Sequence, residues 1–470
     1  MPRVRYVLDS LLMALDVPVS YSAQPPTEGP WLLYAKHLEP EFDSGRCLYV
    51  PYRQSAWQSM QKNGRRHSVD TVEGVPYVLP EVVPQAGQDG DIRVDLFANA
   101  FWFLSSWAER HEARESDTRG LYSESEFKRL GIPQDVVDIY LDVLRRGLAA
   151  CCERANVSEW RRPEWPNGRE YAVVLSHDVD FIPANQLDII KQGVKTLGRH
   201  LIRERSPVDA IRAGVGLSKA IVSGRDPYGC LPEMIAREKA LGVQASYQVA
   251  VGHRHPVDVN YLIEDDRTRE YLRVITQNDF ELCLHGSYRS TENPEWYAEE
   301  VELLGNRLGR PIGSRQHFLS FDYDALFDIQ EKSGIRFDMS MGFPDRIGPR
   351  SGFSFPYFPW NIEQDRPYDV LQISLFLMDV TLRSYMHLGA DDAWGAISGS
   401  LDALRRKRGG VSVVWHPIVF GNARDPGYGD LFWQLVDRVT STGGLATDGR
   451  TINDFWRRRA ARYPSFAGFG

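Results

Sequence analysis

The sequence has few cysteines and no long apolar run, and both features narrow the classes of protein that it can encode. Its 470 residues include only five cysteines, which are scattered and form no CxxC pair. This spacing argues against a zinc ribbon or a disulfide framework and fits a reducing compartment. No window approaches the roughly 20 apolar residues of a membrane span. Asp9 and Asp16 interrupt the apolar stretch near the N-terminus, so we expect neither a signal peptide nor an integral membrane segment.

A basic excess is also absent. The formal net charge is -8, with 43% hydrophobic and 25% charged residues. These values are typical of a globular protein and argue against a nucleic-acid partner. Together with the missing signal peptide they predict a cytoplasmic protein, and the length predicts two or three domains.

Two carboxylates directly follow a predicted buried strand. The strand is the short, valine-rich run 172–175, and Asp178 and Asp180 come just after it. Side chains two positions apart on an extended chain point to the same side, and two close carboxylates stay ionised when a positive group lies nearby. A metal ion is the simplest such group. The alternative is a pair of capping aspartates at a strand-to-loop junction.

Strand and helix patterns alternate over residues 164–470, which predicts a parallel β/α barrel. Polar residues recur just after the predicted strands: Asp178, Asp180, His285, Arg315, His317, Asp379 and His416. In such a barrel the carboxyl ends of the strands form the face where active sites are built, so we expect these side chains to converge.

Residues 1–163 are predicted to form a smaller α/β companion domain. Helical patterns cover residues 4–15, 95–110 and 133–150, and short strand patterns cover 31–34 and 47–50. The polar segment 161–170, which contains two prolines and a glycine, is predicted to be the linker to the barrel.

Five blocks of the sequence, in order, resemble the polysaccharide deacetylases of the NodB-homology type (carbohydrate esterase family 4). The blocks are SHDVD (176–180), LHGSY (284–288), SRQHFLSF (314–321), FDMS (337–340) and VVWHP (413–417). The first two are similar to those of a bacterial branch with an extra N-terminal domain, which segment 95–110 also resembles. The resemblance spans about residues 170 to 460. It implies a distorted NodB-type (β/α) barrel and a divalent metal, with zinc as the expected ion. The implied reaction removes an acetyl group from an N- or O-acetylated sugar of a cell-surface polysaccharide or its precursor.

The same resemblance implies roles for single residues. Asp178 matches the catalytic base, and Arg315 matches the arginine that holds it. Asp180 matches the metal-binding aspartate, and His285 matches the first histidine ligand. His416 matches the histidine that acts as general acid.

The sequence departs from the family at Arg289. The family has a second metal-binding histidine at this position, and an arginine cannot bind a metal because it stays protonated. We expect His317 to supply the third ligand, because it lies two residues beyond Arg315 and on the same side of an extended chain. The weaker ligand candidates are His177 and His416. Alternatively, His317 does not bind the metal itself and instead supports the residues that do, or contacts the substrate.

Four further residues are predicted to contact the substrate: Tyr288, Phe318, Arg350 and Asp379. The backbone N–H of Phe318 is a candidate donor to the developing oxyanion. Arg350 is expected to grip a sugar carboxylate or phosphate, or else to form a structural salt bridge. Asp379 is expected to meet sugar hydroxyls. Asp338 is expected to orient Arg315 or His416, or to cap a strand end.

Two other functions fit the same blocks. Arg289 favours an inactive relative that keeps the fold and binds a glycan or a partner, whereas the retention of Asp178 and Asp180 argues against it. The other alternative is a metal-dependent hydrolase of a non-sugar C–N bond. Release of ammonia instead of acetate would distinguish it.

Overall fold

The structure is a computed structural model. It describes residues 2–39, 45–62, 69–79, 92–111, 131–158, 163–183, 186–203, 205–223, 228, 230–421 and 424–469. The statements below apply to these residues.

Two small two-stranded sheets lie in the N-terminal part. Strands β1 (Trp31–Ala35) and β2 (Cys47–Pro51) are parallel, and β3 (Asp70–Val72) and β4 (Val75–Tyr77) form an antiparallel hairpin. The helices around them are Pro2–Leu15, Gln54–Lys62, Leu96–Leu104, Trp107–His111 and Val136–Arg154. The predicted helix over 95–110 is therefore two helices, because the chain turns at Ser106, whose φ of 48° is left-handed.

A curved sheet of parallel strands organises the rest of the chain. Its strands are β5 (Tyr171–Val179), β6 (Ser246–Val249), β7 (Glu281–Gly286), β8 (Gly313–Gln316), β9 (Phe337–Asp338), β12 (Leu371–Gln372), β13 (Leu375–Met378), β14 (Gly410–Val414) and β15 (Gly444–Thr447). A separate hairpin pairs β10 (Trp360–Asn361) with β11 (Arg366–Pro367). The strand order is β12-β9-β8-β7-β6-β5-β14-β13, and β15 pairs with the first half of β5.

Helices alternate with these strands, as expected of crossovers in a parallel sheet. They are Gln186–Gly198, Pro207–Ser223, Leu231–Leu241, Asp266–Gln277, Pro294–Arg307, Tyr323–Ser333, Ala390–Lys407, Tyr428–Ser441 and Gly449–Ala460. The strand order and the intervening helices confirm the predicted (β/α) barrel. Within the described ranges, no helix has both the length and the apolar character that crossing a bilayer requires.

One segment closes the barrel. Strands β12 and β13, at opposite ends of the strand order, are separated along the chain by only Ile373 and Ser374. The N–H of Ile373 donates to the carbonyl of Asp338 on one side, and the carbonyl of Ser374 accepts from the N–H of Ser412 on the other. Strands β12 and β13 thus bridge β9 and β14, and the pairing of β13 with β14 has a register shift between Leu375 and Leu377.

Side chains alternate across β5 and so separate two regions of the core. Ala172 and Val174 belong to a cluster that contains Ile373, on the inner side of the sheet. Val173 and Leu175 belong to a second cluster that contains residues of the surrounding helices. This alternation follows from the two-residue period of a strand. The same alternation continues to the end of β5, so Asp178 faces the interior of the barrel and His177 faces the surrounding helices.

The N-terminal helix packs directly on the C-terminal part. The hydroxyl of Tyr6 donates to the carbonyl of Phe358 at 2.6 Å, and the hydroxyl of Tyr463 donates to the carbonyl of Leu12 at 3.1 Å. One hydrophobic cluster includes residues from both parts. The division into residues 1–163 and 164–470 stays a prediction.

The predicted linker is not a loose tether where the structure describes it. Residues 161 and 162 lie outside the described residues. Trp165 is buried, and its ring stacks on that of Trp456 with centroids 5.4 Å apart. Its indole N–H donates to the carbonyl of Arg408, so the segment is fixed to the barrel.

Candidate active site

The predicted polar residues do lie at the carboxyl ends of the barrel strands. Asp178 is the next-to-last residue of β5, and His285 is the next-to-last residue of β7. Arg315 lies in β8, and His416 follows β14. Their side chains meet at one end of the barrel, because Arg315 and His285 both contact Asp178 and His416 contacts Asp180.

Asp178 and Arg315 form a buried ion pair. Arg315 Nη1 donates to Asp178 Oδ1 at 2.6 Å, and its Nη2 and Nε donate to Ser176 Oγ and to the carbonyl of Met339. Arg315 is fully buried. Burial alone would raise the pKa of Asp178, but the guanidinium of Arg315 and the nearby histidines outweigh it and hold that pKa below its usual value. Asp178 is therefore an ionised carboxylate inside the barrel.

Asp180, His285 and His317 form a cluster that could hold a metal ion. Each offers one ligand atom, and these atoms lie within 4.8 Å of one another. His285 Nε2 is 3.2 Å from Asp180 Oδ1, and His317 Nε2 is 4.0 Å from Asp180 Oδ2. Two buried atoms that face each other in the cluster, Asp180 Oδ1 and His285 Nε2, lack a hydrogen-bond partner among the described residues. Buried polar atoms are normally satisfied, so the cluster fits a bound cation.

The tautomer of His285 favours the same use. Its Nδ1 lies 2.9 Å from the carbonyl of Arg315, which can only accept, so the proton is on Nδ1. Nε2 is then the ring nitrogen directed to Asp180, and a histidine held through Nδ1 in this way can offer Nε2 to a metal. One carboxylate and two imidazoles are donors typical of divalent transition-metal sites.

Asp379 holds His416, which corrects the prediction that Asp379 meets sugar hydroxyls. Asp379 is buried, its Oδ1 lies 2.7 Å from His416 Nδ1, and its Oδ2 accepts from the backbone N–H of His416. The other ring nitrogen, Nε2, lies 3.5 Å from Asp180 Oδ2. Burial alone would lower the pKa of His416, but the Asp379 carboxylate and the two aspartates of the site raise it to about 9.

Arg289 does not enter the cluster. Its side chain is exposed, and its Nε lies 3.5 Å from Glu292 Oε1 on the protein surface. Arg289 therefore brings no positive charge to the candidate metal ligands. His317, the predicted third ligand, lies in the cluster with Asp180 and His285.

His177 is wrong as a ligand candidate. It lies on the outer side of β5, where its Nδ1 donates to the carbonyl of Trp415 at 2.8 Å. Its Nε2 lies 2.8 Å from Glu238 Oε1, in the helix Leu231–Leu241. Both ring nitrogens are thus engaged in the core, away from Asp180.

Aromatic rings border the cluster. The ring of Phe318 lies 4.4 Å from that of His317 and 5.9 Å from that of Tyr288, and Tyr288 in turn lies 4.7 Å from His255. Phe318 and Leu319 have φ values of 58° and 51°, which are left-handed and rare for side chains of this size. Two such residues in succession mark backbone that the surrounding structure holds under strain, a feature common at functional sites.

An apolar group lies beside Phe318. Leu319, Leu375 and Val414 are buried together, and Phe318 and Met378 pack against them. Leu375 and Val414 belong to β13 and β14, the strands that precede Asp379 and His416. Phe318 and Met378 are the partly exposed members of this apolar group, and Phe318 contacts His317 of the charged cluster.

Two predicted residues have structural partners instead. Arg350 is buried, and its Nε donates to Glu109 at 2.9 Å, so a substrate role for it has no support from its contacts. Asp338 accepts from Ser340 and Gln330 and from neither Arg315 nor His416. Burial raises the pKa of Asp338 to about 6.

Asp258 belongs to the site and was not predicted. Its Oδ1 accepts from the backbone N–H of Tyr288 at 2.9 Å and lies 3.8 Å from His317 Nδ1. Its Oδ2 accepts from the backbone N–H of His255. Asp258 lies in the long loop after β6, outside the five blocks. Its only sequence signal is that it follows a barrel strand.

Comparisons with known proteins give matches in structure alone. No protein-family model and no curated protein matches the chain. Among the solved structures that match is a protein of Mycobacterium smegmatis assigned as a polysaccharide deacetylase, with 14% identity and a TM-score of 0.42 over 64% of this chain and 95% of that one. A protein of Pseudomonas aeruginosa, assigned likewise, has 13% identity and a TM-score of 0.42 over 65% and 97%. The allantoinase Puue has 15% identity and a TM-score of 0.43 over 64% and 95%.

These matches include the family that the five sequence blocks resemble. At such identities and TM-scores they carry no inference about activity. The fold is established by this chain's own strand order, and the function is inferred from its residues.

Proposed function

We propose that this protein is a metal-dependent hydrolase that removes an acetyl group from an N- or O-acetylated sugar of a cell-surface polysaccharide or its precursor. The observation that carries the proposal is the meeting of three groups at one end of the barrel. These are the Asp178–Arg315 ion pair, the Asp180–His285–His317 cluster, and His416 held by Asp379.

Asp180, His285 and His317 would hold the metal ion, with zinc as the proposed ion. When bound, a divalent metal acidifies water and polarises a carbonyl oxygen. His285 fits this role because its Nδ1–H is committed to a carbonyl and its Nε2 is directed to Asp180.

Asp178 is the proposed general base. It is ionised because Arg315 lowers its pKa, and Arg315 also fixes its orientation through Nη1. The carboxylate would take a proton from the attacking water, and its burial keeps bulk solvent from competing.

His416 is the proposed general acid. Its Nδ1 is tied to Asp379, so Nε2 is the nitrogen directed to the site. A histidine with a raised pKa carries its proton at neutral pH and can give it to the departing amine or alkoxide. The backbone N–H of Phe318, held in a left-handed conformation, is the proposed donor to the oxyanion.

The surroundings of the cluster suit an acetylated sugar. Tyr288 and Phe318 present rings on which a sugar ring can stack. Phe318 and Met378, the partly exposed members of the apolar group beside the cluster, would contact the acetyl methyl. The inactive-relative alternative rests on the ligand that is missing at Arg289, and the presence of His317 in the cluster supports an intact site instead.

Acetate release tests the proposal. Purified protein supplied with zinc is assayed on acetylated chito-oligosaccharides and on an O-acetylated sugar ester. We expect acetate, with a loss of about 10²–10⁴-fold in Asp178→Asn. Arg289→Ala is the matched control and is expected to retain activity. If the protein releases ammonia from amide or ureide compounds and releases no acetate from the sugars, hydrolysis of a non-sugar C–N bond is favoured instead. No turnover of any of these would contradict the proposal.

A further inference from the structure

A helical hairpin next to the candidate site exposes an unusual amount of apolar surface. It consists of the helices Gln186–Gly198 and Pro207–Ser223, which contact each other. Fourteen large apolar side chains are exposed in the described chain, and nine of them belong to this hairpin or its connecting turn. They are Leu187, Ile190, Val194, Leu201, Ile202, Val208, Ile211, Val215 and Val222. Single exposed apolar residues are ordinary, but a concentration of nine marks an interaction surface.

These side chains are not needed for the packing of the hairpin itself. The two helices approach through small residues, since a Cβ added at Gly193 would meet Leu217 and one at Gly214 would meet Leu197. Ala210 and Ala213 are also buried. The exposed apolar residues lie on other faces of the helices.

The exposed residues have the same spacing in both helices. Leu187, Ile190 and Val194 lie at positions i, i+3 and i+7, and so do Val208, Ile211 and Val215. This spacing forms one stripe on a helix. The exposure of these stripe residues is high and reaches 65% for Val194 and 68% for Ile211. In each helix a basic residue follows the second apolar position directly.

The hairpin is basic on an acidic protein. Its sequence, 186–223, has seven basic residues against three acidic ones, a net charge of +4, whereas the whole chain has -8. The basic residues are Lys191, Lys195, Arg199, Arg203, Arg205, Arg212 and Lys219. Lys191 and Arg212 are exposed, and their nearest acidic partners, Asp188 and Asp209, lie at 3.9 and 3.7 Å. Such exposed pairs are weak, so the positive charge remains available.

We propose that this hairpin docks the protein on an anionic lipid surface. Apolar stripes flanked by Lys and Arg are what lets helices lie in a bilayer interface, with apolar residues among the acyl chains and basic residues at anionic headgroups. A second copy of the chain fits less well, because a two-fold contact would place one +4 hairpin against another.

The position of the hairpin gives docking a consequence for the site. Its first helix begins at Gln186, six residues after Asp180, at the carboxyl edge of the sheet. The turn between the helices is fixed to the barrel, where Arg199 pairs with Asp425 at 2.6 Å. A docked hairpin would therefore bring the candidate site next to lipid. Given the proposed function, on which this point rests, the substrate class would then be a membrane-anchored acetylated sugar.

Vesicle flotation tests the docking without any substrate, so its failure is distinct from a failure of acetate release. The full chain is mixed with vesicles of phosphatidylcholine alone or of phosphatidylcholine with phosphatidylglycerol. We expect binding to the anionic vesicles, weakened by salt because screening shortens with ionic strength. Ile190→Asp with Ile211→Asp should abolish it. Leu262→Asp, at an exposed apolar residue outside the hairpin, is the matched control and should bind like the wild type.

A second variant tests the charges and keeps the apolar stripes. Lys191→Gln with Arg212→Gln should lower binding by about fivefold per residue, or about 25-fold together. Absence of binding to anionic vesicles, or equal binding to neutral ones, would overturn the proposal. Light scattering would distinguish a second copy of the chain as the occupant. If the wild type is a dimer that does not bind vesicles, and Ile190→Asp with Ile211→Asp dissociates this dimer, the proposal of lipid docking is overturned.

Discussion

The buried pair of Asp178 and Arg315 should dominate the stability of the barrel's carboxyl end. We consider Arg315→Met, which removes the charge and keeps much of the side-chain volume. Both partners of the pair are buried, and Arg315 makes two further hydrogen bonds to Ser176 and Met339. Removing one partner of a buried ion pair costs about 3–5 kcal/mol, because the other charge is left without compensation. We expect this loss in the free energy of unfolding measured by urea denaturation at about pH 7.

A double variant and the pH dependence check the cause. Arg315→Met with Asp178→Asn should recover at least about 2 kcal/mol, because no unpaired charge stays buried. In the wild type the folded pKa of Asp178 lies below its unfolded value of about 3.9, so its ionised form contributes stability that is lost as pH falls. The difference between wild type and Arg315→Met should thus be smaller at about pH 3 than at about pH 7. A loss below about 1 kcal/mol, the value of an exposed pair, would refute this reasoning.

Three more predictions concern other parts of the barrel. Asp379→Asn removes the main group that raises the pKa of His416 to about 9, so the alkaline limb of the pH–rate profile should move to lower pH; an unchanged limb would contradict His416 as the acid. Burial raises the pKa of Glu281 to about 7, so the folded chain binds this proton more tightly than the unfolded one, and stability should fall as pH rises from about 4.5 to about 7. Glu281→Gln should flatten that slope in urea denaturation, and a slope equal to that of the wild type would argue against it. Gly313→Ala should cost about 1–3 kcal/mol, since a Cβ there would press on the ring of Phe337 and on Cys283; thermal stability equal to the wild type would show that the ring can move.

The sequence predicted the residues whose position follows from local pattern. The alternation along β5 put Asp178 and Asp180 on one side of the chain, and the strand ends brought His285, Arg315 and His416 together. These inferences use only the period of a strand and the shared edge of parallel strands. His177 was kept as a ligand candidate, although the same alternation places it on the other side of β5.

Residues whose roles depend on distant parts of the chain could not be predicted in this way. Asp258 reaches His317 from a loop with no regular pattern. Asp379 was predicted to face substrate, but its role depends on His416, which is 37 residues away along the chain. Arg350 has its partner, Glu109, in the N-terminal part, and nothing in its own neighbourhood indicates that pairing.

Metal content is the most direct test of the candidate site. Wild-type protein, His317→Ala and the surface control Arg289→Ala are purified, supplied with zinc, and analysed for bound metal. We predict about one zinc per chain in the wild type and in Arg289→Ala, and a clear loss in His317→Ala, because His317 would supply one of the three proposed ligands. No zinc in the wild type, or full occupancy in His317→Ala, would contradict the Asp180–His285–His317 site.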